Sequence, residues 1–573
     1  MKLETGKIEK YLLKSIRCQF IIGIVLILGI INCGGRGVEK QFADFVTAHV
    51  AKVEPLMKAW NLSYWQASLT GAKEDFDKAA EYELQIRTIY SDTSDYAYLS
   101  RLRASESVHD PLLKRQLDVL YRAYLGNQIP GDLLKKIVAK KNAVENKFTV
   151  FRGKIGTRTV TDNEISDILK KETDSAKRRN AWLASKQVGP IVASDIVELV
   201  KLRNEAARTL GFDNFYLMSL ELSEQRLDQL TQIFDQLSAV TEQPFKKLKA
   251  ELDSALARNY GIEPQELMPW HYHDPFFQEG PMVDVVNLDR YYETQDVKAL
   301  AEKFFVSINL PVDDIIARSD LYERPGKNPH AFCTNIDRNE DVRVLANIQN
   351  NEKWMETMLH ELGHAVYEKY IDKQLPFLLR EPAHIFTTEA IAMLFGRLSR
   401  NGYWLRDMIA LPDMTAEQIT ASADRSLRLR QLIFSRWCQV MFRFEQALYQ
   451  DPDQDLNNLW WALVEKYQMV KKPDGRNAPD WAAKIHFIIA PVYYHNYMLG
   501  ELLASQLHSY LVKQILKLKT NQAVSYVNHP AIGDYLRRHV FALGAHYPWD
   551  EMIARATGET LSPSYFVNQF IAE

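Results

Sequence analysis

The sequence has few cysteines, little net charge and no hydrophobic run long enough for a membrane span. Its four cysteines among 573 residues include no C-x-x-C pair, which excludes a disulfide-dense scaffold and a cysteine-based zinc module. A net charge of −3 argues against a surface that binds nucleic acid, and we expect no nucleic-acid partner. The absence of internal repeats and low-complexity segments argues against a solenoid or a disordered chain.

The longest apolar run lies near the N-terminus and is typical of an export signal. FIIGIVLILGII, at residues 20–31, follows a lysine-rich segment, and its 12 residues suit the hydrophobic region of a signal peptide. A membrane span would need about 20 residues. Cys33 follows closely, as at the cleavage site of a bacterial lipoprotein. We therefore expect residues 1–32 to be a lipoprotein-type signal peptide, with a plain signal peptide or an uncleaved anchor as the alternatives.

Helical periodicity dominates the chain after residue 38, while strand signals are sparse. Apolar residues recur at three-to-four spacing over residues 42–65, 110–125, 222–261, 424–449 and 497–516. One candidate strand is DVRVLANIQ, at residues 341–349. Because no convincing linker interrupts the pattern, we predict one mainly α domain over residues 38–573.

The stretch MLHELGHAVYEKY, at residues 358–370, carries two histidines four residues apart and a glutamate directly after the first. On a helix, positions i and i+4 lie on one face, about 5–6 Å apart at Cβ. His360 and His364 can therefore bind one Zn²⁺, with Glu361 placed to take a proton from water. The competing interpretation is a half-buried helix with two incidental histidines, although H-E-x-x-H rarely arises by chance among 14 histidines.

A catalytic zinc site needs a third protein ligand. Glu389 lies 25 residues after His364, in the apolar-periodic segment REPAHIFTTEAIAMLFGRL. An acid among apolar neighbours is costly unless it is paired or binds a metal, which makes Glu389 a candidate. The residues alone leave three alternatives open: Glu368, Glu381 and His384.

A motif of this kind followed by a distant glutamate resembles two families of large helical zinc oligopeptidases, the angiotensin-converting-enzyme family of peptidyl-dipeptidases and the thimet oligopeptidase family. Further segments resemble the first family and occur in its order: NPHAF (328–332), LLREPAHIFTTEAIA (378–392), NNLWWALVEKYQ (457–468) and AAKIHFIIAPVYYHNYMLGELLASQLH (482–508). The resemblance extends from about residue 200 to the C-terminus. It implies a bacterial family member, folded as a large helical ellipsoid of two lobes around a deep central cleft, with a small β element beside the zinc-binding helix.

The resemblance also implies roles for individual residues. The ligands of one Zn²⁺ per chain are His360, His364 and Glu389. The catalytic residues are Glu361, which activates water, Tyr497, which stabilises the oxyanion, and His486, which holds the substrate. The substrate-binding residues are His330, at the peptide backbone, and Lys484 with Tyr494, at the C-terminal carboxylate. The two tyrosine assignments allow one inserted residue after His486.

The sequence departs from the family pattern in two functional respects. The positions that match chloride-binding arginines in the animal enzymes are Tyr216, Val464 and Asn496, none of them cationic, so chloride activation is not expected. The glutamine that helps to bind the C-terminal carboxylate should lie within MPWHYHDPFFQ, where His271 or Tyr272 occupies the matching position.

These observations predict an exported zinc metallopeptidase that hydrolyses short peptides and releases C-terminal dipeptides. We expect it in the periplasm or cell envelope, anchored in a membrane through a lipid on Cys33. One alternative is an oligopeptidase that cuts internally with the same zinc chemistry. Another is an inactive peptide-binding lipoprotein.

Overall fold

The computed structural model describes residues 5–281, 286–519 and 524–571, with side chains from residue 37 onwards. The side chains of the predicted signal peptide and of Cys33 lie outside the described residues, so lipidation and export stay predictions. Within the described part of the chain, no helix combines the length and apolar character needed to cross a membrane.

The fold is mainly α, as predicted, with two small antiparallel hairpins. The helices are α1 (Thr5–Thr70), α2 (Lys73–Tyr90), α3 (Thr93–Ser105), α4 (Pro111–Leu125), α5 (Gly131–Val150), α6 (Asp162–Lys171), α7 (Ser175–Lys186), α8 (Val188–Thr209), α9 (Phe215–Leu222), α10 (Leu227–Tyr260), α11 (Asp289–Tyr292), α12 (Val297–Ser307), α13 (Asp313–Arg318), α14 (Glu352–Lys369), α15 (Ile385–Gly396), α16 (Gly402–Ile409), α17 (Asp413–Gln450), α18 (Leu456–Gln468), α19 (His486–Ile489), α20 (His495–Tyr510), α21 (Pro530–His539), α22 (Trp549–Thr557) and α23 (Ser564–Phe570). The strands are β1 (Gly153–Ile155), β2 (Arg158–Val160), β3 (Phe332–Asn335) and β4 (Val342–Leu345).

The long helices agree with the hydrophobic periodicity. The pattern at residues 110–125 corresponds to α4, and that at 424–449 lies within α17. Most of the pattern at 222–261 is one continuous helix, α10, which passes through Pro244. The pattern at 497–516 begins inside α20 and continues into a wider π-helical turn.

The predicted strand at residues 341–349 is present in a shorter form, as β4. It pairs antiparallel with β3, with Phe332 opposite Leu345 and Asn335 opposite Val342. This hairpin packs beside α14, which confirms a small β element next to the helix that carries the two histidines. The arrangement in two lobes around a cleft, and the single domain over residues 38–573, stay predictions.

The helices that carry the candidate site approach one another unusually closely, because glycine occurs at the contacts. A Cβ added at Gly363 of α14 would lie 2.8 Å from the Cα of Ala392 in α15. A Cβ at Gly500 of α20 would lie 3.5 Å from the Cβ of Glu389. Helices α14 and α20 therefore both pack closely against α15 near Glu389.

We expect Gly363→Ala to lower the free energy of unfolding by about 1–3 kcal/mol, the usual cost of overpacking a core. Alanine favours a helix over glycine, but a contact of 2.8 Å forces α14 and α15 apart. Gly131→Ala in α5 is the matched control, since its added Cβ would meet no atom within 4 Å. The control should keep or slightly raise the midpoint of thermal unfolding. An unchanged midpoint for Gly363→Ala would contradict the close helix contact.

Candidate metal and substrate site

The three predicted metal ligands meet where α14 packs against α15. The Nε2 atoms of His360 and His364 lie 3.3 Å apart, and Oε2 of Glu389 lies 3.7 and 3.9 Å from them. Donor atoms bound to one tetrahedral Zn²⁺ at about 2.0–2.2 Å lie roughly 3.3–3.6 Å from each other. The donor set and its spacing therefore fit zinc with only a small contraction.

The ligand histidines are held in the form that a metal needs. The Thr388 hydroxyl lies 2.7 Å from Nδ1 of His364, which fixes the ring and leaves Nε2 directed at the cluster. Burial lowers the pKa of His360 to about 4 and that of His364 to about 3. Both imidazoles are therefore neutral near pH 7, with a lone pair available for a metal.

The rival third ligands have other partners. Glu368 accepts a hydrogen bond from Nδ2 of Asn335 at 3.0 Å, and Glu381 forms an ion pair with Arg338. The His384 side chain caps the N-terminus of α15. In the described part of the chain, His360, His364 and Glu389 are the one group of three such side chains close enough to share a metal ion.

Glu361 lies beside this cluster in a setting that suits a general base. Its side chain is buried, and the backbone N–H of Cys333 in β3 donates to its carboxylate. Burial, together with the charge of Glu389, raises the pKa of Glu361 to about 7. A carboxylate with a pKa near the working pH is effective in proton transfer.

A second polar cluster forms around Lys484. Its Nζ donates to Oε1 of Gln278 at 2.5 Å and lies 5.3 Å from the ring centre of Tyr494. The Tyr494 hydroxyl accepts a hydrogen bond from Nε1 of Trp437 at 2.7 Å. Burial lowers the pKa of Lys484 to about 8, so the ammonium group stays largely protonated at neutral pH.

Gln278 corrects one prediction from the sequence. We expected His271 or Tyr272 at the position of the glutamine, whereas the structure places Gln278 beside Lys484. His271 lies against Ser175 instead, and Tyr272 bonds to Lys249 and Asp253. The sequence held a signal for the residue beside Lys484, because Gln278 is the sole glutamine of MPWHYHDPFFQ.

A row of rings connects the two clusters. The ring centre of Tyr494 lies 5.1 Å from that of His486 and 5.3 Å from that of Tyr497. Tyr493, which the sequence did not single out, follows at 5.2 Å from Tyr497. Burial, together with the charge of Glu389, raises the pKa of Tyr497, which indicates that this phenol lies near Glu389.

His486 has an unused hydrogen-bonding atom. Its Nδ1 is buried and has no hydrogen-bond partner among the described residues. Burial and the nearby charge of Lys484 lower the pKa of His486 to about 4, so the ring is neutral. An unpaired buried nitrogen next to the aromatic row is suited to a ligand.

The structure does not bring His330 into either cluster. Its side chain is exposed just before β3, and its backbone N–H donates to Oδ1 of Asn328 at 2.9 Å. The predicted substrate-binding role of His330 stays a prediction. The three chloride-related positions, Tyr216, Val464 and Asn496, are all buried and uncharged.

The cysteines with described side chains do not pair. Cys333 and Cys438 are both free. Burial raises the pKa of each thiol well above its usual value, so both remain protonated at neutral pH.

A helical fold with two histidines and a glutamate gathered from packed helices, and with a buried carboxylate beside them, defines a metallopeptidase-type centre. The family profile described as angiotensin-converting enzyme matches residues 37–570, and the chain belongs to this family. The resemblance stated from the sequence is thereby confirmed, whereas the bacterial origin stays a prediction.

Curated relatives match at low identity. The chain is 25% identical over 454 residues to angiotensin-converting enzyme of Rattus norvegicus, covering 73% of this chain and 34% of the relative. An angiotensin-converting enzyme-like protein of Mus musculus is 24% identical over 445 residues, covering 71% of this chain and 59% of the relative. An inactive angiotensin-converting enzyme-related protein of Caenorhabditis elegans is 24% identical over 377 residues, covering 58% of this chain and 40% of the relative. The chain thus spans less than two thirds of each of these relatives.

Proposed function

We propose that the protein is a zinc-dependent peptidase that hydrolyses short peptides and releases C-terminal dipeptides. The observation that carries this proposal is the presence, in one site, of the metal-ligand cluster and of the partly buried contact between Lys484 and Gln278. The first cluster supplies a place for hydrolysis, and the second offers a cation and an amide to a free C-terminal carboxylate. A fixed distance between them would set where the peptide is cut.

His360, His364 and Glu389 would hold the metal ion, and bound Zn²⁺ supplies a Lewis acid that polarises the scissile carbonyl and acidifies water. Glu361 takes a proton from the attacking water and passes it to the leaving amine. The Tyr497 hydroxyl donates a hydrogen bond to the developing oxyanion.

The remaining residues orient the peptide. Lys484 provides the positive charge for the C-terminal carboxylate, while the Gln278 amide and the Tyr494 hydroxyl complete its hydrogen bonds. The neutral ring of His486 binds the peptide backbone through a nitrogen, and His330 is assigned to the backbone as well. Water is largely excluded around Lys484, which strengthens its interaction with an anion.

The two alternatives remain distinct from this proposal. An oligopeptidase would use the same metal site without requiring a free C-terminus. The second alternative is a peptide-binding protein without activity. The relative from Caenorhabditis elegans is described as inactive. The presence of Glu361 favours an active enzyme, because peptide binding alone needs no base. Export through residues 1–32 and a lipid on Cys33 belong to the proposal.

Product analysis of a decapeptide tests the cut position. We expect mass spectrometry to find successive loss of dipeptides from the free acid. Hydrolysis of the C-terminally amidated peptide should be about 10–100-fold slower, because a hydrogen bond to a charged group contributes about 1.5–3 kcal/mol. The Glu361→Ala protein is the control for contaminating peptidases. Internal cuts in both peptides would favour the oligopeptidase, and no cleavage by folded, zinc-loaded protein would favour the binding protein.

A further inference from the structure

A large cavity lies between α17 and the N-terminal half of α14, the helix that carries His360 and His364. Its volume is about 940 Å³, and it is bordered by Glu352 and Glu356 of α14 and by the N-terminal half of α17. Glu356 precedes His360 by one helical turn. A Cβ added at Gly396 would lie 3.7 Å from Cγ of Glu356 and 3.5 Å from Cβ of His360, so both residues pack against the same glycine of α15.

In the described part of the chain, the charged lining of this cavity consists of five arginines and four acidic residues, Asp289, Glu352, Glu356 and Asp424. The lining includes Arg397, Arg400, Arg425, Arg428 and Arg430. Two of them are neutralised by clear partners. Arg397 forms an ion pair with Glu501. Arg400 donates to Glu352 at 2.8 and 2.9 Å and lies 3.5 Å from Glu356.

Arg430 differs from these two. Among the residues that the structure describes, none lies within hydrogen-bond or ion-pair distance of its guanidinium group. The charges that act on it from further away are Arg400, which repels it, and Glu279, Glu352 and Glu356, which attract it. Glu352 and Glu356 are already shared with Arg400, and Glu279 is exposed. Arg430 is half-buried in the wall of the cavity, so its five N–H donors are available to an anion that enters.

The position of Arg430 relates this cavity to the carboxylate-binding cluster. Arg430 and Trp437 are seven residues apart in α17, which places them on one face about 10.5 Å apart along the axis. Trp437 bonds to Tyr494 beside Lys484. Glu279 attracts both Lys484 and Arg430, so the two cations share one acidic neighbour. A dipeptide bound at Lys484 could therefore reach Arg430 with a side chain.

We propose that the Arg430 pocket, meaning the cavity lined by Glu356, Arg400, Arg425, Arg428 and Arg430, binds an acidic side chain in the last two residues of the substrate. This inference rests on the proposed function, because it needs a peptide whose C-terminus is held at Lys484. An aspartate or glutamate carboxylate can accept two parallel hydrogen bonds from the Arg430 guanidinium, whereas an amide accepts fewer and a lysine is repelled.

Five N-blocked tetrapeptides that differ only in their last two residues test the pocket. The five peptides end in Ala-Ala, Glu-Ala, Gln-Ala, Ala-Glu and Ala-Gln, respectively. We expect kcat/KM for one glutamate peptide to exceed that of its glutamine counterpart by about tenfold or more, equal to about 1.4 kcal/mol. In Arg430→Gln this ratio should fall to near one, while hydrolysis of the Ala-Ala peptide changes less than about twofold.

Arg258→Gln is the matched control, because Arg258 is exposed on α10 and its loss removes the same charge. It should keep the wild-type ratio. A wild-type ratio near one, or a ratio unchanged in Arg430→Gln, would overturn the proposal. Thermal unfolding of each variant shows whether the protein is folded, and Arg430→Lys, which keeps the charge, should retain part of the preference.

Calorimetric binding of the dipeptides Glu-Ala, Gln-Ala, Ala-Glu and Ala-Gln separates this proposal from the proposed function. If no tetrapeptide is hydrolysed but an acidic dipeptide binds more tightly in an Arg430-dependent way, the pocket stands and the peptidase assignment fails. If tetrapeptides are hydrolysed without any preference for glutamate, the pocket fails and the peptidase assignment stands. The absence of both hydrolysis and preferential binding rejects both.

Discussion

Replacing Glu361 by glutamine should remove most peptide hydrolysis while zinc and the fold stay in place. The amide keeps the shape of the side chain, and its carbonyl can still accept the N–H of Cys333. It cannot accept a proton from water, so kcat should fall by about 10²–10⁴-fold. The measurements are kcat on a cleaved peptide, zinc content by elemental mass spectrometry, and the midpoint of thermal unfolding.

Glu368→Gln is the matched control for this experiment. Glu368 is on the same helix, burial raises its pKa to about 7 as well, and its partner is Asn335 rather than the metal-ligand cluster. This variant should keep kcat within a few fold of wild type. If Glu361→Gln retained the wild-type kcat with full zinc, Glu361 would not be the base.

Replacing His364 by alanine should remove both the zinc and the activity. Two donors, His360 and Glu389, remain, and the open site then lacks the three protein ligands typical of a catalytic zinc. Loss of an outer partner alone costs about 10–100-fold in metal affinity, so loss of a direct ligand should cost more. We expect purified His364→Ala to hold less than about one tenth of the wild-type zinc after dialysis.

His273→Ala controls for the loss of a partly buried histidine. His273 lies 2.9 Å from the Tyr260 hydroxyl and takes no part in the metal-ligand cluster. Its removal should leave the zinc content unchanged. Full zinc occupancy together with full activity in His364→Ala would mean that the metal binds elsewhere, and the proposed assignment would then be wrong.

The half of the candidate site that depends on local structure could be predicted from the sequence. His360, Glu361 and His364 lie on one helix, and helical geometry alone places both imidazoles on the same face. Glu389 is different, because its place depends on how α15 packs against α14. Spacing could not decide between Glu389 and Glu381, whereas the packing of α15 against α14 places Oε2 of Glu389 3.7 and 3.9 Å from the two imidazoles.

Other features depend on contacts that no local pattern encodes. Gln278 lies in an irregular segment without periodicity, so its distance from Lys484 follows only from tertiary packing, in which Phe276 and Gly280 contact α17. Arg430 has the pattern of a polar position on an amphipathic helix, and the cavity it faces is formed by elements far away in the chain. Strand β3 has no strand signal of its own, since four residues acquire this conformation by pairing with β4.

The two free thiols, Cys333 and Cys438, show that the described fold does not depend on a disulfide bond between them. Since neither Cys333 nor Cys438 contributes a crosslink, these helices need no oxidant or disulfide isomerase to mature. A thiol reductant would then act on this protein mainly as a chelator, by competing for the metal ion rather than by opening covalent bonds. We therefore expect the midpoint of thermal unfolding to be insensitive to the redox potential of the medium, apart from any loss of the metal ion.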